Sequence, residues 1–302
     1  MSSVDVSNAD RVVFPEAGYT KGDVVAHYDR VGDAMLPFVA DRPLTLQRFP
    51  KGLTGKGFMQ KNTPAHYPEQ IVRFAVAKRG GGNTNYPVVN DAALLQYLAN
   101  QGTVTIHMGT STATRPEQPD FLIIDLDPAE SDVGGARALT RDAGDVLATF
   151  GVASMPLATG SKGYHVWVPL TPGQRWDDIE RAGRAVAGIL ATRDPERATT
   201  EFLNRKRHGR VFVDWLRNAP GATVVAPYSL RPRPGAPVAV PLSWQELAKT
   251  PPDRWTLATI ADRLAAPVAL PREQQVPVHD ICEEAARLGV DLDARFDRFG
   301  RP

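Results

Sequence analysis

Hydrophobic residues recur along the chain with the period of a helix in some stretches and with that of a strand in others. The helical spacing predicts helices over residues 20–36, 91–102, 133–150, 177–193 and 280–288. Short apolar runs predict strands over residues 103–108, 121–127, 157–159, 164–170, 211–215 and 223–226. Because strands and helices interleave along the chain, the pattern predicts an α/β or α+β core.

Local signals mark where some of these elements begin and where the main domain ends. Thr20 and Asp23 have the spacing of a capping box, and Asp91 is a candidate cap for the second helix. The chain becomes rich in proline towards its end. We therefore divide it into a main domain, residues 1–267, and a C-terminal extension, residues 268–302.

The composition is that of a globular protein with a sizeable core. Of the 302 residues, 42% are hydrophobic and 23% are charged, and the formal net charge is +1. No apolar run approaches the roughly 18 residues of a membrane span, and no signal peptide is visible, so we expect a cytoplasmic protein without a membrane partner. Cys282 is the single cysteine, which excludes an internal disulfide and a multi-cysteine zinc site. A nucleic-acid site would have to come from local charge placement.

Two carboxylates end an apolar strand at residues 121–128. Side chains two apart in a strand share a face, so Asp125 and Asp127 point the same way while Leu126 points into the opposite layer. Asp214 ends a second apolar strand. Like charges on largely buried strands repel, and Mg²⁺ or Mn²⁺ would compensate them with hard oxygen ligands. The three acids therefore predict a site for two ions, the usual device for phosphoryl transfer to a hydroxyl.

Other interpretations of these acids remain open at this point. An aspartate at the end of a strand is more often a turn or cap residue than a metal ligand. An Asp-X-Asp motif is also typical of metal-dependent glycosyltransferases. The acids favour the two-metal site mainly in combination with the residues that follow them.

A glycine-rich turn, residues 159–163, separates the two acidic strands, and it could equally be an ordinary hairpin. Its glycines allow backbone N–H groups to approach a phosphate, and Lys162 adds a positive charge. Further candidates for binding phosphate or sugar are His107 and His165, each on a strand, and the basic stretch of residues 205–210 that leads into the Asp214 strand. These residues could equally be core histidines and a solvated run of charges.

Four motifs in order resemble one known family. They are Asp125-Leu-Asp127-Pro128, Ser161-Lys162-Gly163 with His165, Val213-Asp214-Trp215 and Ala226-Pro-Tyr-Ser-Leu-Arg231. The sequence resembles the polymerase domain of bacterial DNA ligase D, in the archaeo-eukaryotic primase superfamily. It also resembles the stand-alone mycobacterial primase-polymerases, including the one associated with ligase C. The resemblance runs from about Ser7 to about Pro267 and implies an α+β fold with an RRM-like half and an active-site cleft between two β modules.

The resemblance also implies a role for each matching residue. The implied metal ligands and catalytic residues are Asp125, Asp127 and Asp214. The implied nucleotide-binding residues are His107, Thr159, Ser161, Lys162, His165, Arg48, Arg207 and Arg231. The implied DNA-binding residues are Arg11, Lys21, Phe58 and Lys61, of which Arg11 and Lys21 match positions that grip a 5′-phosphate. The chain departs from the family pattern at Gln47, Met59, Arg217 and Arg11, where the family carries a lysine, a phenylalanine, a glutamine and a lysine.

The function implied is template-directed filling of short gaps at 5′-phosphorylated DNA sites, in end joining or excision repair. The expected substrates are NTPs or dNTPs, with a preference for ribonucleotides and two Mn²⁺ or Mg²⁺ ions. Expected partners are gapped or broken DNA, an ATP-dependent ligase of the C or D type, and Ku, in a nucleoid-associated setting of a bacterial cytoplasm. The alternatives are a de novo RNA primase, a metal-dependent glycosyltransferase and a non-catalytic module that binds DNA ends.

Overall fold

The computed structural model describes residues 5–78, 80–129 and 132–294. Its helices are α1 Lys21–Val39, α2 Ala92–Asn100, α3 Val133–Thr149, α4 Trp176–Arg193, α5 Asn204–Arg207, α6 Trp244–Leu247, α7 Ile260–Leu264 and α8 Val278–Arg287. Its strands are β1 Val12–Phe14, β2 Tyr19–Thr20, β3 Leu44–Arg48, β4 Phe58–Gln60, β5 Val72–Ala77, β6 Asn83–Val88, β7 Thr103–Gly109, β8 Phe121–Pro128, β9 Met155–Ala158, β10 Tyr164–Pro169, β11 Ala198–Thr199, β12 Val211–Asp214, β13 Thr223–Val225 and β14 Val240–Pro241.

These elements form two compact units, each assembled from separate segments of the chain. The first unit comprises Met1–Arg115, Thr223–Val240 and Asp253–Pro267. The second comprises Pro116–Ala222, Pro241–Pro252 and Val268–Pro302. The division at residues 267 and 268 that the sequence suggested stays a prediction, and residues 295–302 of the proposed extension lie outside the described residues.

An antiparallel sheet in the order β13-β7-β3-β4 is the centre of the first unit. Helices α1 and α2 pack against each other, and β5 pairs with β6 as a separate antiparallel hairpin. Helix α1 begins as the sequence predicts: the Thr20 side chain accepts from the Asp23 N–H, and the Asp23 carboxylate accepts from the Thr20 N–H. This capping box satisfies two N–H groups that the first helical turn leaves without helical partners.

A six-stranded sheet in the order β11-β12-β8-β10-β9-β14 is the centre of the second unit. Leu122, Ile124 and Leu126 of β8 are fully buried in a core that α3 and α4 complete. The alternation of a strand then places Asp125 and Asp127 on the opposite face. Packing against the helices thus determines which face of the sheet is buried, and this places the two acids on the other face.

The mixture of helices and several sheets confirms the predicted α+β class. Among the residues that the structure describes, no helix is both long and apolar enough to cross a membrane.

Candidate active site

The pairing of three antiparallel strands aligns the candidate catalytic residues. Asp214 of β12 lies directly opposite Asp125 of β8, and His165 of β10 lies opposite Asp125 on its other side. Asp127 lies two residues further along β8, so it shares the face of Asp125. The structure therefore brings the three predicted acids together on one face of one sheet.

The environment of Asp214 favours the uncharged acid. Burial, and after it the charge of the neighbouring Asp125 carboxylate, raise the pKa of the Asp214 carboxyl to about 6. Asp214 is only 4% exposed, and its Oδ1 accepts a hydrogen bond of 2.8 Å from the Leu216 N–H. Two acids that face each other in a buried setting are stabilised by a nearby positive charge.

Two arginines supply positive charge to these acids. The Arg217 guanidinium lies 3.0 Å from Asp214 Oδ2 through Nη2 and 3.4 Å from Asp125 Oδ2 through Nε. Arg207 Nη1 donates to Asp127 Oδ2 at 3.0 Å. Arg207 also donates to the Glu201 and Phe202 carbonyls and stacks on the ring of Phe212. The sequence identified Arg207 as a nucleotide-binding residue, and here it contacts an acid.

The donor set suits a divalent cation, although the acids contact arginines here. In the described part of the chain, no group of three or more His, Cys, Asp or Glu side chains is arranged as a metal site. Asp125, Asp127 and Asp214 nevertheless offer hard carboxylate oxygens on one face, which is the ligand type that Mg²⁺ and Mn²⁺ prefer. The raised pKa of Asp214 and the presence of two guanidinium groups both mark this face as one that attracts cations.

His165 is held in one orientation beside Asp125. Trp167 Nε1 donates to His165 Nδ1 at 3.4 Å, so a neutral imidazole carries its proton on Nε2. That nitrogen lies 3.5 Å from Asp125 Oδ1. His165 is 4% exposed and its ring stacks with Trp167. The imidazole therefore acts on Asp125 from the side opposite Asp214.

The glycine-rich turn connects β9 to β10 as a closed hairpin. The Thr159 hydroxyl donates to the Gly163 carbonyl at 2.7 Å, and the Gly160 N–H donates to the Pro252 carbonyl at 2.8 Å. Ser161 is half-buried and Lys162 is exposed. The Thr159 hydroxyl thus forms a hydrogen bond within the turn, while Ser161 and Lys162 lie at its tip.

Gly163 is required by close packing of the turn against the acidic strand. A Cβ atom at this position would lie 2.0 Å from the carbonyl oxygen of Leu126, which sits between the two acids of β8. Glycine therefore lets the turn approach the strand that carries the acids. The sequence suggested glycine for its approach to a phosphate, and the structure gives a reason within the protein.

Arg48 and Phe58 face each other across β3 and β4 in the first unit. The two residues are register partners, and the Arg48 guanidinium lies 5.5 Å from the centre of the Phe58 ring. Arg48 donates to the Gln101 carbonyl at 2.9 Å and to Gln60 Oε1 at 2.5 Å. Phe58 is 46% exposed, as a stacking surface for a base requires.

Arg11 and Lys21 lie close enough to influence each other. Burial lowers the pKa of the Lys21 ammonium, and the positive charge of Arg11 lowers it further. Lys21 Nζ donates to the backbone carbonyl of Ser7 at 2.5 Å and to its hydroxyl at 2.8 Å. An anion bound near these two side chains would be stabilised, because it would reduce the repulsion between their positive charges.

The remaining candidates of the first unit lie on separate elements. His107 is half-buried in β7, opposite Thr45 and Val225. Arg231 is half-buried, and its backbone N–H donates to the Pro237 carbonyl at 2.8 Å. Lys61 is exposed just beyond β4. Nothing in these positions contradicts the predicted roles, which stay predictions.

Sequence reasoning missed the residue that fastens the acidic strand to the turn after Asp214. The buried Asn218 side chain accepts from the Ile123 N–H at 2.8 Å and donates to the Ile123 and Trp215 carbonyls at 2.7 and 2.8 Å. It also missed the position of Arg217, noted only as a departure from a family pattern. An asparagine that precedes a Pro220-Gly221 turn carries no local signal that would have revealed its partners.

Comparison with known proteins assigns the chain to a family. The model of the LigD primase-polymerase domain matches residues 20–270. The chain is similar to the multifunctional non-homologous end joining DNA repair protein LigD of Mycobacterium tuberculosis, with 34% identity over 253 residues, 81% of this chain and 33% of that protein. It is also similar to the bifunctional non-homologous end joining protein LigD of Bacillus subtilis, with 31% identity over 265 residues, 85% of this chain and 42% of that protein.

A solved structure extends the similarity to the fold. The polymerase domain from Mycobacterium tuberculosis ligase D, in complex with DNA, superposes with a TM-score of 0.77 at 30% identity, covering 95% of this chain and 96% of that one. The chain thus spans less than half the length of these two LigD proteins but nearly the whole of the solved polymerase domain. It belongs to the LigD primase-polymerase domain family, a family of metal-dependent nucleotidyltransferases.

Proposed function

We propose that this protein is a template-directed primase-polymerase that fills short gaps at 5′-phosphorylated DNA sites by two-metal nucleotidyl transfer. The observation that carries the proposal is the strand register that aligns Asp125 with Asp214 and keeps Asp127 on the same face. Within this family, such an arrangement favours a polymerase over the glycosyltransferase that the Asp-X-Asp motif alone allows. It also argues against a purely binding role, since buried acids are costly without a cation.

Asp125, Asp127 and Asp214 would bind the metal ions, and neighbouring groups would orient the carboxylates. When bound, two divalent ions, Mn²⁺ or Mg²⁺, would supply the positive charge that favours deprotonation of a primer 3′-hydroxyl and departure of pyrophosphate. Asp125 and Asp214 present their oxygens from adjacent strands, so the sheet sets their separation without help from a flexible loop. His165 constrains Asp125, and the Leu216 N–H constrains Asp214.

The triphosphate and sugar of the incoming nucleotide would be bound by polar side chains. We assign this role to Thr159, Ser161, Lys162, His165, Arg207, Arg48, His107 and Arg231. The exposure of Lys162 supports a phosphate contact at the tip of the turn, where its charge is not committed to a protein partner within hydrogen-bonding distance in the described residues.

DNA would be held mainly through charge and stacking. Arg11 and Lys21 would bind the 5′-phosphate downstream of a gap, since a dianion would offset both the burial and the Arg11 charge that lower the pKa of Lys21. Phe58, steadied by Arg48, would stack on a base without reading its identity, and Lys61 would contact the backbone. Binding should therefore tolerate sequence and weaken as salt rises.

The pathway and partners follow from the relatives by analogy. The similar LigD proteins are named for non-homologous end joining, which supports a role at broken DNA with Ku and a ligase of the C or D type. Excision-repair gap filling uses the same chemistry on the same kind of end. A preference for ribonucleotides with Mn²⁺, and a cytoplasmic, nucleoid-associated location, complete the proposal.

The test is extension of a labelled primer across a short gap, with or without a 5′-phosphate on the downstream strand. Each reaction contains Mn²⁺ or Mg²⁺ and either ribonucleotides or deoxyribonucleotides. We expect extension to fall at least about a hundredfold in Asp125→Asn and to persist in Asp145→Asn, which changes an exposed acid of α3. Arg11→Gln should remove the advantage of the 5′-phosphate but leave extension without it unchanged.

Other results would redirect the assignment. No incorporation of either sugar by the wild-type protein would contradict the polymerase proposal. Extension that ignores the 5′-phosphate would contradict the role of Arg11 and Lys21 alone. Products formed on a template without a primer would favour the de novo primase.

A further inference from the structure

Arg217 contacts two acids whose side chains are both largely buried, whereas Arg197 and Arg287 of the second unit contact pairs of more exposed acids. Its Nη2 lies 3.0 Å from Asp214 Oδ2 and its Nε lies 3.4 Å from Asp125 Oδ2. The Asp214 and Asp125 side chains are 5% and 16% exposed, while that of Arg217 is 40% exposed. The guanidinium thus covers two buried carboxylates from the solvent side.

The oxygens that Arg217 uses are the ones that a metal ion would need. Asp214 Oδ1 already accepts from the Leu216 N–H at 2.8 Å. Asp125 Oδ1 faces His165 Nε2 at 3.5 Å. An Oδ1 atom with one such contact can still bind a cation, but both Oδ2 atoms face the Arg217 guanidinium, so a divalent ion held jointly by the two acids would compete with that positive charge.

The backbone at Arg217 is fixed, so the side chain is the part that can move. Arg217 lies in the 3₁₀ turn Leu216–Asn218, between the hydrogen bond from the Leu216 N–H to Asp214 and the three hydrogen bonds of Asn218. Arg207 differs, because two backbone carbonyls and the Phe212 ring hold its guanidinium in addition to Asp127. Of these two arginines, Arg217 has the more exposed and less restrained side chain.

We propose that Arg217 is a resident counter-ion that sets the divalent-metal affinity of the site by competing for Asp125 and Asp214. In the metal-free protein the guanidinium neutralises the two facing acids and keeps the sheet stable. Metal binding then requires that the side chain swing away into solvent. This inference rests on the proposed function only in assuming that these acids hold a metal ion.

The test measures metal binding in the absence of DNA and nucleotide. Free Mn²⁺ is quantified by its electron paramagnetic resonance signal during titration of the wild-type protein and of Arg217→Gln, which keeps an amide but removes the charge. We expect Arg217→Gln to lower the Mn²⁺ dissociation constant about tenfold, the effect of losing a close competing charge. Arg217→Lys, which keeps the charge, should stay within about threefold of the wild type.

Matched variants separate this effect from general changes of charge or folding. Arg193→Gln removes the same charge from α4, where Arg193 pairs with Glu284, and should leave Mn²⁺ affinity unchanged. Metal-free Arg217→Gln should melt at a lower temperature than Arg217→Lys and gain more from added Mn²⁺. A merely structural arginine would lower the melting temperature without raising metal affinity.

The two ways of failing are distinguishable. Mn²⁺ binding that is lost in the double variant Asp125→Asn, Asp214→Asn but unchanged in Arg217→Gln would overturn the role of Arg217 and leave the metal site standing. If neither the wild type nor Arg217→Gln binds Mn²⁺ through these acids, both the inference and the two-metal proposal are overturned. Binding seen in Arg217→Gln and absent from the wild type would support the competition directly.

Discussion

Replacement of Asn218 by alanine would test how the acidic strand is anchored. β12 pairs with β8 only from Asp125 to Pro128, so the β12 side of Ile123 lacks a strand partner. The Asn218 amide fills this position by accepting from the Ile123 N–H and donating to the Ile123 carbonyl. A second donation, to the Trp215 carbonyl, fastens the turn that follows Asp214. One side chain therefore continues the ladder and positions the turn.

The structure sets the magnitude of the loss. Asn218 is fully buried, and alanine would remove three hydrogen bonds of 2.7 to 2.8 Å. Each contributes about 1 kcal/mol net, and a buried backbone group left without a partner costs a further 1–3 kcal/mol, so we expect a loss of about 4 kcal/mol. That is a large fraction of the roughly 5–15 kcal/mol that stabilises a typical domain.

Urea unfolding followed by tryptophan fluorescence is the appropriate assay. Four of the five tryptophans, at positions 167, 176, 215 and 244, belong to the second unit, so the signal reports mainly on the unit that contains Asn218. Asn90→Ala is the matched control, because its single exposed hydrogen bond to the Asp41 N–H should be worth no more than about 1 kcal/mol. A loss in Asn218→Ala no larger than in this control would refute the anchoring argument.

Two further predictions concern a buried histidine and a tight turn. Burial lowers the pKa of His27 to about 4, below its ordinary 6.5. Between these two pH values the unfolded chain binds a proton at His27 and the folded chain does not. Stability should therefore fall by about 3 kcal/mol as the pH drops from 6.5 to 4, and His27→Gln should lack this component in urea unfolding followed by circular dichroism. Gly163→Ala should cost more than about 3 kcal/mol of stability and abolish extension, since its Cβ would meet the Leu126 carbonyl at 2.0 Å; Gly134→Ala, with an ordinary 3.6 Å contact, should fold normally. A Gly163→Ala variant as stable as the wild type would count against the explanation of the tight turn. A His27→Gln variant with the pH dependence of the wild type would count against the explanation of the buried histidine.

Local sequence patterns were sufficient for the elements and for part of the site. Helical spacing predicted α1 and α4 within a few residues, and the Thr20–Asp23 capping box appears as expected. Strand alternation predicted that Asp125 and Asp127 share a face. These features depend on residues two to four apart, so the sequence contains all the information that they need.

Long-range register was beyond the reach of the pattern. That Asp214 lies opposite Asp125, 89 positions away in sequence, depends on which strands pair and in what register. The reason for Gly163 depends on a backbone oxygen of another strand, and the contacts of Arg217 depend on both strands. The hairpin of β5 and β6 was missed because most of its residues are exposed or half-buried and show no two-residue alternation. Apart from this local hairpin, each miss involves partners far apart in the chain.

Residues of β8 alternate between those that stabilise the fold and those that form the candidate active site. Leu122, Ile124 and Leu126 are fully buried on the face packed by helices, so truncating them would create cavities. Asp125 and Asp127 lie on the other face, where their charges oppose folding until arginines or metal ions neutralise them. The hydrophobic face therefore supplies the free energy that allows two like charges to be held close together. In the proposed competition, Arg217 stabilises the fold of the metal-free protein by neutralising Asp125 and Asp214, and it can be displaced because a divalent ion replaces its charge on those two acids.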